Sequence, residues 1–189
     1  YNTEDVIVLS CYNKGDYGTI VINKEIQKAV NQSKELVKFG DTEYRLNDLV
    51  IQCVNDYKAI LYSPTNLDKE NTTFIPNGEI GKIVEIVGNA LVVDFDGTKI
   101  YCPKGTMGNI KLAYAISTHK SQGGQFKVVI LVTPKAHTYM LNSNLLYVGE
   151  TRAKEKCYHI AEVKTVNNAL KKKENFDRNT FLGDLLKLS

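Results

Sequence analysis

The polar and apolar positions of this chain change rhythm twice. Near the N-terminus a compact apolar run, DVIVLS at 5–10, ends in the polar turn CYNKGDYG, which predicts a short buried strand followed by a loop. Ile22, Ile26, Ala29 and Val30 then recur at helical spacing with polar residues between them, so a helix with an apolar face is expected over 19–34. Beyond it the runs shorten. Strands are expected at 49–54 and 59–62, and a polar loop carrying Pro64 and Pro76 over 63–77. Three further runs, 81–87, 90–95 and 98–102, are joined by Gly88-Asn89 and Asp96-Gly97, dipeptides that accept positive φ at low cost. This predicts a tight antiparallel meander.

From Lys111 the rhythm returns to longer units. A strand is expected at 112–116 and a second, uninterrupted apolar one at 128–132, of the kind buried on both faces of a parallel sheet. A helix over 143–154 places Leu145, Val148 and Arg152 near one side, and a strand at 157–162 and short helices at 165–173 and 180–187 complete the pattern. Strand and helix alternating on either side of an all-β segment predict an α/β layer fold with a parallel sheet, interrupted by a small SH3-like β-barrel. The expected division is 1–40 and 112–189 for the α/β part and 41–111 for the insert.

At 189 residues the chain exceeds the usual single domain of roughly 100 to 150 residues, which leaves room for such an insert. No apolar run approaches the ~20 residues that span a bilayer, and no signal peptide opens the chain, so a cytoplasmic location without a membrane partner is expected. The chain starts at Tyr1, close to its first strand, which suggests a piece of a longer protein. A formal charge of +3 is too small to argue for nucleic acid by itself. Cys11, Cys53, Cys102 and Cys157 lie far apart without a CxxC pair, so reduced thiols and no metal site are expected.

Two stretches carry candidate chemistry. STHKSQGGQF at 117–126 follows an expected strand, where α/β sheets place ligand contacts; its glycines allow close backbone approach, and Thr118, Lys120 and Gln122 supply donors for phosphate or sugar oxygens. A solvated glycine turn fits the same residues equally well. LLYVGETRAK at 145–154 holds Arg152, one of only three arginines, whose fixed fork of donors suits a phosphate across a cleft, although the segment standing alone favours a surface pairing with Glu150 or Glu155. No GxxxxGK[ST] phosphate loop occurs, so the chain by itself is not expected to bind and hydrolyse a nucleoside triphosphate.

Taken in order, these segments resemble the C-terminal half of a superfamily 1 DNA helicase of the RecD-like type. AISTHKSQGGQF at 115–126 looks like that family's motif V, NLLYVGETRAK at 144–154 like motif VI, and IVLSCYNKGDYGTIVINKEIQ at 7–27 like the region around motif IV. YRLNDLVIQCVNDY at 44–57 and FIPNGEIGKIVEI at 74–86 resemble the family's SH3-like insert and its entry. The resemblance implies a RecA-like lobe that shares ATP and Mg2+ with an N-terminal RecA-like lobe of the same protein, which carries the phosphate loop. It also implies binding of single-stranded DNA, 5′ to 3′ translocation, duplex unwinding in repair or recombination, and possible helicase–nuclease partner subunits. By the same resemblance Arg152 is the catalytic arginine finger; Gly124, Gln125 and Lys14 face the nucleotide; and Thr118, His119, Lys120 and Gln122 contact DNA. Gln125 replaces the family's usual acidic residue, and Glu150 stands where a small or apolar residue is common, within reach of Arg152. A non-catalytic nucleic-acid adapter and an RNA-directed helicase are the readings left beside this one.

Overall fold

The computed structural model describes residues 1–65 and 70–172; the helix expected at 180–187 lies outside the described residues. The chain runs β1 (Val6–Ser10), α1 (Thr19–Val30), β2 (Leu36–Phe39), β3 (Thr42–Arg45), β4 (Leu49–Gln52), β5 (Asp56–Leu61), β6 (Thr72–Ile75), β7 (Ile80–Val87), β8 (Ala90–Phe95), β9 (Thr98–Cys102), β10 (Ile110–Leu112), β11 (Ala115–Ser117), β12 (Phe126–Thr133), α2 (Ser143–Glu150), β13 (Ala153–Ala161) and α3 (Val163–Lys171).

Four strands form an all-parallel sheet in the order β11-β1-β12-β13. β12, flanked on both sides, buries Val128, Val129 and Leu131, as its unbroken apolar run requires. Seven strands form a second, antiparallel sheet in the order β10-β4-β7-β8-β9-β5-β6. Its two hairpin turns follow the expected dipeptides. Asp96 and Gly97 both take positive φ, at 48° and 87°, whereas in the other pair Gly88 alone does, at 60°. The fold is therefore the mixed α/β arrangement expected, a parallel sheet interrupted by antiparallel β material.

Gly81 on β7 has no room for a side chain. A Cβ there would stand 2.6 Å from the Asp94 carbonyl oxygen and 2.7 Å from the Phe95 ring. Because the obstacle includes backbone, Gly81→Ala is expected to lower stability by about 1–3 kcal/mol, read as a shift of the urea midpoint at constant slope.

The structure departs from the sequence pattern in four places. The expected strand at 112–116 is two strands of different sheets. Ile110–Leu112 pairs with β4, and Ala115–Ser117 pairs with β1, while the Ala113 N–H donates to Leu49 O and the Tyr114 O accepts from Val8 N. The apolar run is continuous because the crossing itself is buried, with Ala113 at 0% and Tyr114 at 3% exposure. Residues 36–45 form a two-stranded hairpin, and Thr72–Ile75 adds an edge strand inside the expected loop; each of these strands has only 4 residues, too few to show an alternating apolar signal. The helix expected over 143–154 stops at Glu150, where the Thr151 hydroxyl donates to Tyr147 O at 2.8 Å.

The fourth departure concerns α1. Its buried face is polar, made of Thr19, Asn23 and Gln27, whereas Ala29 and Val30 are exposed. The cause is its seat on the edge strand β11. Asn23 donates its amide to Ala115 O at 2.7 Å and accepts from Ala115 N at 2.9 Å, so one side chain completes the ladder of an unpaired strand edge. The helix ends at Val30 instead of 34 because the Asn31 side chain turns to Leu46 O and to Asp48 Oδ1. Asp48 is fully buried and accepts from four donors on three segments: Gln27 Nε2, the Asn31 amide at 2.7 Å, Arg45 N at 2.7 Å and the Tyr114 hydroxyl at 2.8 Å. Burial, then the neighbouring carboxylate, pushes the Tyr114 hydroxyl well above the usual phenol range. This carboxylate ties α1, the hairpin and the crossing between the sheets together.

Candidate functional site

The stretch after β11 is the connection from the parallel sheet's edge strand to its centre. Ser117 lies beside Ser10 at the carboxyl ends of β11 and β1, while Phe126 begins β12 beside Ala153 at the amino ends. Residues 118–125 therefore travel from one end of the sheet to the other. Ser121 N bonds Ser117 O and Gly124 N bonds Ser121 O, both at 3.1 Å, and Gly123 supplies the positive φ of 88° that turns the chain. His119 and Gln122 are exposed and Lys120 is half-buried, placed for an external ligand. Thr118 is not. It is 1% exposed, its N–H donates to Ser10 O at 3.1 Å, and its side chain is directed to the same oxygen. It fastens the loop to β1, and of the four expected strand contacts it leaves three at the surface.

Arg152 stands beyond α2, in the turn before β13. Asn142 starts this helix by accepting from Leu145 N at 2.8 Å, and Gly149 brings it close onto β12, where an added Cβ would lie 2.8 Å from a Leu131 methyl. The guanidinium donates from Nε to Val148 O at 3.1 Å, from Nη1 to Gly124 O at 3.2 Å and from Nη2 to the Thr151 hydroxyl at 3.3 Å. Arg152 O in turn accepts from Phe126 N at 2.9 Å. The two candidate stretches are thus joined through one residue. Glu150 does not pair with Arg152; its carboxylate lies 3.5 Å from His159 Nδ1, and the other nitrogen of that ring meets the Thr133 hydroxyl at 2.7 Å.

The expected nucleotide set divides. Gly124, Gln125 and Arg152 gather at the amino ends of β12 and β13, whereas Lys14 is exposed in the loop leaving the carboxyl end of β1. That loop is tight: Thr19 N bonds Tyr12 O, and a Cβ on Gly18 would be 2.5 Å from Lys14 O. Because parallel strands put all their carboxyl ends on one edge, Lys14 shares the edge of Ser117 and His119 and is removed from Gly124.

Other residues of this edge escaped the sequence pattern. His137, 4% exposed, packs its ring on Tyr12 with centroids 4.8 Å apart and on Tyr17 edge-on at 6.5 Å. Burial lowers its pKa below the usual histidine value. The turn Asn77–Ile80 of the antiparallel sheet faces the loop His119–Phe126 across a cavity of about 600 Å³. Its PNGE sequence announces a turn but not what the turn faces. Among the thiols, burial pushes Cys11 up to about 11 and Cys102 up to about 12, which leaves both unreactive at neutral pH.

Comparison with known proteins converges on one family. Residues 22–95 match the ATP-dependent RecD-like DNA helicase SH3 domain, and residues 112–160, which contain both candidate stretches, match the UvrD-like helicase C-terminal domain. The ATP-dependent RecD2 DNA helicase of Deinococcus radiodurans is 31% identical over 153 residues, 81% of this chain. Over most of its length the chain is similar to RecD-like helicases. The RecD subunit of the RecBCD enzyme of Buchnera aphidicola is 28% identical over 176 residues, 89% of this RecD-like chain. The chain spans 19% of the first relative's length and 26% of the second's. Its fold is that of Pif1 helicase from Bacteroides in the structure with ADP-AlF3 and ssDNA, at a TM-score of 0.57 and 18% identity, covering 98% of this chain and 45% of that one. Pif1 helicase from Candida albicans gives 0.52 at 12% identity, over 88% and 47%. Among the described residues of the RecD-like chain no helix is long and apolar enough to cross a membrane.

Proposed function

We propose that this chain is the C-terminal motor lobe, with its β insert, of an ATP-dependent helicase that moves 5′ to 3′ along single-stranded DNA and unwinds duplex in repair or recombination. In this reading residues 1–40 and 112–189 form the lobe and 41–111 the insert. The observation that carries it is the bond from Arg152 Nη1 to Gly124 O, which joins an arginine to a loop whose far end is exposed.

The residues present fit a phosphate-bearing cofactor. Of the five guanidinium N–H groups, three are engaged within the chain, and 5 − 3 = 2 remain for an anion. ATP, held with Mg2+ mainly by the N-terminal lobe, supplies the phosphoryl group whose transfer to water drives the cycle. Arg152 reaches the terminal phosphate and stabilises the charge that grows there. Turning to it takes a donor from Gly124 O, and residues 118–126 respond because both their ends are fastened, to Ser10 at one end and to Arg152 O at the other. His119, Lys120 and Gln122 lie on that segment and hold the strand. Gln125, uncharged, offers the ribose a hydrogen bond. Lys14, on the strand-side edge, contacts the track instead of the nucleotide.

The Deinococcus radiodurans relative is named an ATP-dependent DNA helicase, and the Pif1 neighbour was solved with ssDNA; both support this reading. The N-terminal lobe is its obligatory partner, with helicase–nuclease subunits as a further assembly suggested by the RecBCD name of the second relative. The test is strand displacement by the full-length protein on duplexes with a 5′ or a 3′ tail of DNA or RNA. ATP-dependent unwinding from the 5′ DNA tail is expected; unwinding from the 3′ tail alone would overturn the direction, and none from either would overturn the reading.

A further inference from the structure

Helix α2 ends in a residue that its position disfavours. Glu150 closes the helix, where the last carbonyl groups present partial negative charge and a cation is the favourable side chain; no basic residue stands in that turn. A carboxylate there is unfavourable unless something opposite holds it. It lies 3.5 Å from His159 Nδ1, and Nε2 of the same ring lies 2.7 Å from the Thr133 hydroxyl. A neutral imidazole satisfies both neighbours in one tautomer only, with the proton on Nδ1 toward the carboxylate and the Thr133 hydroxyl donating to Nε2. Thr133 is 0% exposed on β12 and His159 is on β13, so three side chains run from the interior of the sheet to the helix end. The Cys157 thiol, on the same face of β13 as His159, is raised first by burial and then by the Glu150 charge, which places that charge over the strand.

This line of contacts closes the turn that presents Arg152. Between Glu150 and His159 the chain leaves α2, reverses at Thr151 and Arg152 and enters β13. Arg152 takes two of its bonds from the helix end itself, at Val148 O and the Thr151 hydroxyl, so a shift of that end carries the guanidinium with it. With 8 residues, α2 depends on its packing to hold its last turn. Gly149 against Leu131 sets how near the helix lies to the sheet. The pair beyond it sets how far the helix end can turn.

We propose that the charge of Glu150, held by His159, positions Arg152, fixing the end of α2 so that the guanidinium meets the terminal phosphate in one orientation. The inference rests on the helicase reading, in which Arg152 reaches that phosphate, and adds to it a residue that touches neither nucleotide nor strand. At 3.5 Å the pair is longer than a good hydrogen bond and its carboxylate is exposed, so it acts through charge and its effect is modest.

The experiment is steady-state ATP hydrolysis by the full-length protein at saturating oligothymidylate. Glu150→Leu is expected to lower kcat about three- to fivefold, with KM for ATP and oligonucleotide affinity little changed, because a misaimed donor weakens the transition state more than the ground state. Glu150→Gln keeps the shape without the charge and is expected to fall as far. His159→Gln is expected to show the same loss, and the double variant E150L/H159Q no more than either alone. In an Arg152→Ala background Glu150→Leu is expected to change nothing further, whereas a merely structural role would lower turnover again. Glu150 is exposed, so its variants keep the fold, which a urea midpoint no lower than wild type checks; should it fall, the Arg152→Ala background decides. Wild-type kcat in either Glu150 variant, a change confined to KM, or a loss that persists without Arg152 would overturn the positioning role and leave the helicase reading standing. No strand-stimulated hydrolysis by the wild type would overturn both.

Discussion

On the proposed function, Arg152→Ala in the full-length protein is expected to lower strand-stimulated ATP hydrolysis by about 10³-fold or more, the scale on which arginine fingers act in phosphoryl transfer. Single-strand affinity is expected to fall little, since the donors that residues 118–125 offer are the exposed His119 and Gln122 and the half-buried Lys120, and the arginine side chain touches only the far end of that stretch, at Gly124 O. Arg152→Lys does not restore turnover. A single ammonium cannot keep Val148 O while it turns from Gly124 O to a phosphate, as the planar fork can. Steady-state ATPase at saturating oligothymidylate, set beside fluorescence anisotropy for binding, separates the two effects. Near-normal turnover would remove the catalytic assignment and leave Arg152 as a structural tie.

Asp48→Ala costs the fold more than any surface change. The carboxylate is at 0% exposure, and its loss strands donors from Gln27, Asn31, Arg45 and Tyr114. Each buried donor left without a partner costs about 1–3 kcal/mol, so a loss of ~4 kcal/mol or more is expected from a total that for domains is about 5–15. Asp48→Asn keeps the shape but turns an amide N–H toward donors, and recovers only part of that loss. Urea unfolding measures both. A change below ~1 kcal/mol for the alanine variant would mean that water or a shifted backbone satisfies the same donors.

The strands of the meander and the central parallel strand were legible because their signals are local: Gly88-Asn89 and Asp96-Gly97 for the meander, the unbroken run at 128–132 for β12. What pattern could not supply was partnership. α1 looked amphipathic through Ile22 and Ile26, yet it is seated by Asn23 and Gln27, since the surface it covers is a strand edge in need of hydrogen bonds as well as apolar contact. The run at 112–116 read as one strand because burial does not distinguish two sheets joined by a buried crossing. At the site, Arg152 and the loop after β11 were legible from their residue types and order. The burial of Thr118, the placement of Lys14 at the opposite edge and the pairing of Glu150 with His159 were not, because each depends on which end of a parallel strand a loop leaves.

The two edges of the parallel sheet are guarded by different means. β13 begins with Lys154, Glu155 and Lys156, charges that discourage a second chain from pairing there. At β11 the guard is a single amide, Asn23, which occupies both the N–H and the C=O of Ala115. A side chain that completes the ladder denies it to every other strand. The polar face of α1 therefore also protects this sheet edge against self-association.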